Sequence, residues 1–150
     1  MHVFLRSLAA LLLLSGSALA VSDTQAELKA KADAAHGGEQ AKLCLLYAHR
    51  QLEAANDLFT NGDVEQAQAD VQEVMVYTRK AAEAAESSGK HMKQTEIALR
   101  ELSKRMHDIA DSLAVEDRPP LREAMDSIEQ LRSELLARMF GTQGDKKEKS

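Results

Sequence analysis

Apolar residues return along this chain with the spacing of an α-helix, and the returns fall into four runs separated by glycine and proline. In the first, over about 39–60, Leu45, Leu52 and Phe59 repeat every seven residues with Ala48 and Ala55 between them. The second, about 64–87, carries Val64, Ala67, Val71, Val74, Thr78 and Ala81 at alternating spacings of three and four. The third, about 90–114, has the clearest seam: Leu99, Leu102, Met106, Ile109 and Leu113. The fourth, about 120–140, carries Leu121, Met125, Ile128, Leu131, Leu135 and Met139.

The breaks carry helix stop and start signals. Asn61 and Gly62 suit the left-handed backbone that ends a helix, and Asp63 suits the cap of the next one. "ESSGK" divides the second run from the third, and Pro119-Pro120 opens the fourth, where a missing N–H costs nothing. Acids early in the second run (Asp63, Glu65, Asp70) and bases late (Arg79, Lys80) follow the helix dipole. Glu96–Arg100 and Glu101–Arg105 stand at the four-residue spacing of exposed pairs, which predicts a solvent face there.

Matched helices with short connections predict an all-α fold, an antiparallel bundle of four main helices over 39–140. Two helical hairpins in a row, as in a short solenoid, are the alternative. Residues 21–38 read as a weak leading helix or linker: Thr24 and Glu27 make a capping box, but Leu28 is its only large apolar residue. Residues 141–150, "GTQGDKKEKS", read as a disordered polar tail.

The first twenty residues follow a different pattern. Arg6 precedes the apolar run Leu8 to Leu14, and small residues close the segment at Ala18 and Ala20. This is the three-part form of a signal peptide, with cleavage expected after Ala20 and a periplasmic or extracellular product. No later run is apolar enough to span a membrane.

Removing Arg6 with that segment leaves 18 basic and 24 acidic side chains. Nucleic-acid binding rests on phosphate neutralisation, so none is expected. A membrane-surface role is disfavoured for the same reason. The acidity lies in the first half: residues 21–89 hold 6 basic and 12 acidic groups, against 9 and 10 over 90–140.

Residues 48–81 resemble one tetratricopeptide-type helical hairpin. Gly62, Asp63 and Ala67 in "NGDVEQA" are similar to that family's Gly-Asp-x-x-x-Ala turn. Ala55 and Leu58 suit the first helix, Val71 and Val74 the second. Gln51 and Arg79 depart from the family's aromatic and proline, and no second copy follows. The resemblance implies contact with another protein and no particular binding residues.

Candidate chemistry is sparse. His36, His49, His91 and His107 form no Glu-x-x-His or His-x-x-x-His pair, and Cys44 and His49 point about 140° apart on a helix. No metal site, catalytic residue or cofactor is therefore expected. A haem between helices remains the alternative, because His91 or His107 with Met92, Met106 or Met125 needs no local motif. Cys44, the single cysteine, shares a helix face with Tyr47, Ala48 and Gln51. Two fates fit it: a small buried hydrophobe, or half of a disulfide that makes a homodimer.

Met139 and Phe140, beside the polar tail, are candidates for an apolar anchor as well as for end-of-helix packing. The function expected from all this is an exported, non-enzymatic helical protein acting by protein–protein contact, as a scaffold, adaptor or chaperone-like bundle. A bundle that binds a small cofactor or metal such as haem is the alternative.

Overall fold

A computed structural model describes residues 24–147, with side chains as far as residue 141. The expected signal peptide, residues 1–20, lies outside the described residues. The described chain is all-α: α1 Gln25–Ala34, α2 Gly37–Asn61, α3 Val64–Ser88, α4 Met92–Ser112 and α5 Pro119–Lys147, with a short 3₁₀ turn at Val115–Asp117 before α5. Among the described residues there is no strand, and no helix is long and apolar enough to cross a membrane.

The apolar period accounts for the packing. In α4, Leu99, Leu102, Met106 and Ile109 are all buried, while Leu113 becomes the half-buried C-cap. In α3, Ala67, Val71, Val74, Thr78 and Ala81 are buried and Val64 is partly so. In α5, Leu121, Ala124, Ile128, Leu131 and Leu135 form the inner stripe, and Met125 sits at its edge. α2 turns slightly from the expected face: Leu45 is half-buried, and Cys44, Tyr47, Ala48, Gln51, Leu52, Ala55 and Phe59 face inward.

α2 pairs with α3 and α4 with α5, each pair an antiparallel hairpin. Gly38 of α2 lies against His91 at the start of α4, and Glu53 meets Arg105 further along both helices. α2 and α4 therefore run in the same direction. The hairpins lie side by side, joined mainly by α3 against α5. Together they make the antiparallel bundle.

Gly62 and Gly89 end α2 and α3 in the left-handed region, φ 85° and 66°, which a Cβ would penalise. Asp63 occupies the N-cap position of α3, but its side chain caps nothing. With ψ at 60° it lacks the extended backbone that aims a capping oxygen at the first turn, and its own N–H closes on the Leu58 carbonyl instead.

Another departure is His91, the N-cap of α4, at φ 63° without being glycine. Its ring lies over Gly38, where an added Cβ would meet His91 Cδ2 at 2.5 Å. Gly38→Ala is expected to cost about 1–3 kcal/mol by overpacking. Urea denaturation checks this, and the loss should largely vanish in Gly38→Ala/His91→Gly, which removes the ring and relaxes the turn.

The leading segment is a ten-residue helix with its capping box formed: Glu27 N–H donates to Thr24 Oγ1 and Thr24 N–H to Glu27 Oε2. Its apolar face is as small as expected, Leu28 and Ala32, both buried in the common core. The polar tail expected over 141–150 straddles the end of α5: the backbone is helical to Lys147, and 148–150 lie outside the described residues.

Candidate functional site

Among the described residues, polar chemistry concentrates where α1 crosses α2 and α3. Two ion pairs hold α1 there: Lys29 with Glu73, and Lys80 with Asp33 at 2.6 Å. Both tyrosines of the chain join them from below. Tyr47 Oη donates to Glu73 at 2.8 Å, and Tyr77 Oη donates to Asp33 at 2.8 Å. The two rings pack with centroids 4.4 Å apart, tilted by 56°, and the Lys80 ammonium stands 4.7 Å from the Tyr77 ring centre. At the start of α1, Gln25 donates to buried Gln51 at 2.8 Å. At its end, Gln40 donates to the Ala32 carbonyl.

The electrostatics follow from this geometry. The Lys80 hydrogen bond, helped by Tyr77 and opposed by desolvation, holds the Asp33 carboxyl below its ordinary value. Desolvation pushes Glu73 upward, but its bonds from Lys29 and Tyr47 outweigh that and leave it lowered. Burial, and then donation to a carboxylate, pushes both phenols up, so both are neutral donors at ordinary pH. These are ion pairs and neutral phenols locked to one another, an arrangement that fastens one helix to two others.

Cys44 lies beneath this cluster, fully buried, with Tyr47 and Ala48 in the same core. Of its two candidate fates the structure shows the buried one. Desolvation raises the thiol to about 11, so it is protonated and shielded. Folded protein at pH 8 should react with a thiol reagent far more slowly than denatured protein. Equal rates would show that the segment is open.

Of the residues weighed as haem ligands, His91 and Met92 lie at the start of α4, Met106 and His107 toward its end, and Met125 on α5 beside the core. Met106 is fully buried in the core, while the adjacent His107 is exposed and pairs with Asp111 at 3.2 Å. His91 lies at the Gly38 turn, and Met92 packs on Ala41, Ala84 and Ala85. Among the described residues no group of three or more His, Cys, Asp or Glu is placed to hold a metal ion. Phe140 is 68% exposed.

Two polar features depart from the sequence reading. Glu96, expected on the solvent face with Arg100, is buried and bonds Arg132 of α5 at 2.6 Å. Arg105, expected with Glu101, instead makes a two-pronged pair with Glu53 of α2 at 2.7 and 2.8 Å. Spacing within one helix predicted partners, but a guanidinium reaches across to a neighbouring helix when its site is partly desolvated and the geometry is bidentate. Periodicity alone carried no signal for the α1 cluster, because Tyr47 and Tyr77 belong to different helices and meet only once the hairpin forms.

No protein-family model, curated protein or solved structure matches this chain.

Proposed function

We propose that the chain is an exported, non-enzymatic helical protein that acts by protein–protein contact in the cell envelope. The observation that carries this reading is the outer face of α3. Val76 is 52% exposed there, and with half-buried Met75 it floors a shallow depression bordered by Gln72, Arg79, Lys80 and Glu83. An apolar floor with a polar and charged border is the composition of a protein-binding surface. The signal-like pattern of residues 1–20 and the hairpin resemblance over 48–81 point the same way.

The test places a photo-cross-linking residue at Gln72 in chain produced in its native host. A discrete heavier adduct on chain that begins at Val21 is expected, abolished by Val76→Glu. The same cross-linker at Glu101, on the exposed side of α4, should give none. Equal adducts at both positions, or none at Gln72, would overturn the reading.

A further inference from the structure

α1 is attached to the bundle unlike any other helix. It contributes two buried residues, Leu28 and Ala32, and otherwise holds on by polar side chains. The side chains of Lys29, Asp33 and Lys80 remain 40–42% exposed, so these contacts are screened by solvent and each contributes little. Its link to α2 is only Ala35 and His36, both in extended backbone (ψ 163° and 154°), which folds α1 back along α2. The common core beneath is filled mostly from the four other helices, by Leu52, Val71, Val74, Leu99, Ile109 and Leu121 among others.

The covered face has a readable complement. Glu73 and Lys80 stand two turns apart on α3. The two tyrosine hydroxyls supply further donors, and Lys29 lies within 6 Å of both ring centres. Opposite them, α1 presents Leu28, Lys29 and, one turn on, Ala32 and Asp33. Lys29 meets Glu73 and Asp33 meets Lys80, so residue numbers rise together and α1 runs parallel to α3. A helix laid the other way would set Lys against Lys and Asp against Glu.

We propose that α1 is an internal occupant of a helix-binding face on α2 and α3, and that this face also takes an amphipathic helix of a partner protein carrying the same Leu-Lys-x-x-Ala-Asp pattern. α1 is then a built-in competitor. Tethered by two residues, it has a high effective concentration and keeps the face closed until a matching helix displaces it. Release uncovers Tyr47 and Tyr77, a large amphipathic area suited to a helix-in-groove contact. This deepens the contact reading and rests on it for the ligand's being a protein.

The probe is a fluorescent, end-blocked peptide of residues 24–36 titrated with the full chain. Parent chain should bind it weakly. Leu28→Ala/Lys29→Ala, in which the chain's own α1 is weakened, should bind it at least tenfold more tightly. Glu73→Lys added to that variant should weaken binding several-fold, and a peptide with Lys29→Glu should restore it.

Circular dichroism and a thermal melt accompany each variant. Cooperative melting with a loss of helix limited to about one short segment is expected. Failure of the double variant to fold would show α1 to be integral to the core and would overturn the proposal. So would equal peptide affinity for parent and variant. Dimers of the double variant formed by exchanging α1 would make a second copy the occupant and would overturn the partner reading. A Gln72 adduct without peptide binding would leave the contact reading standing and sink this one.

Discussion

Leu102→Ala is expected to lower the stability of the folded chain by about 2–5 kcal/mol. Leu102 is 2% exposed and belongs to the core formed with Leu52, Val71 and Leu121. Truncation removes the transfer free energy of the lost carbons and leaves a cavity that neighbouring helices cannot fully close. α4 lies against α5 and also touches α2 and α3, so a void on its inner stripe weakens both hairpins. Chemical denaturation monitored by helicity measures the loss. Glu101→Ala, on the exposed side of the same turn, should stay within about 0.5 kcal/mol of the parent. Equal losses at the two positions would mean that the face of α4 is assigned wrongly.

Glu96→Ala should cost about 2–3 kcal/mol, less than the roughly 3–5 kcal/mol of a fully sealed pair broken on one side. Glu96 accepts from Arg132 Nη2 at 2.6 Å and from Nε at 3.0 Å. The side chains are 11% and 18% exposed. Removing the carboxylate leaves a mostly desolvated guanidinium, which favours unfolding. The loss is moderated because Arg132 keeps Glu129 at 2.7 Å. A double-mutant cycle with Arg132→Met should show that most of the cost is the stranded charge, so that the double variant is more stable than Glu96→Ala alone. Additive losses would deny the coupling.

The apolar stripes of α3, α4 and α5 were legible in the sequence, while the exact face of α2 and the polar partners were not. The seam of α4 and the inner stripe of α3 follow from three-and-four spacing, because burial demands one apolar side on each helix. Gly62, Gly89 and Pro119 marked the ends because each has a backbone preference that no neighbour overrides. Glu96 was misread because its four-residue partner Arg100 is a local rule, whereas Arg132 becomes its partner only when α4 and α5 pack. Arg105 and Glu53 repeat the same lesson.

The α1 cluster had still less signal. Leu28 alone suggested a helix with little to bury, and the apolar period says nothing about Lys29, Asp33, Glu73 and Lys80 meeting over two tyrosines. Polar fasteners between helices are a tertiary property, written in no single helix.

Linkage gives these fasteners a pH dependence with a definite sign. Asp33 and Glu73 are both held below their ordinary values when α1 is docked. Their contribution is present above the ordinary carboxylate range, near about 4, and is lost as pH falls through the lowered docked values. The groups facing them are Lys29 on α1, Tyr47 and Cys44 on α2, and Asp70, Tyr77 and Lys80 on α3. Both phenols are pushed up and stay neutral between pH 7 and 3, so the acid response belongs to the carboxylates.

Amide hydrogen exchange, expressed as protection factors, tests most directly whether α1 is a polar-held appendage on a self-sufficient bundle. At pH 7 the α1 amides should be at least about tenfold less protected than those of Leu102, Met106 and Ile109 in α4. Below about pH 4 their protection should fall by a larger factor than that of α4, whose apolar stripe does not titrate. Protection of α1 equal to that of α4, unchanged by acid, would contradict the account.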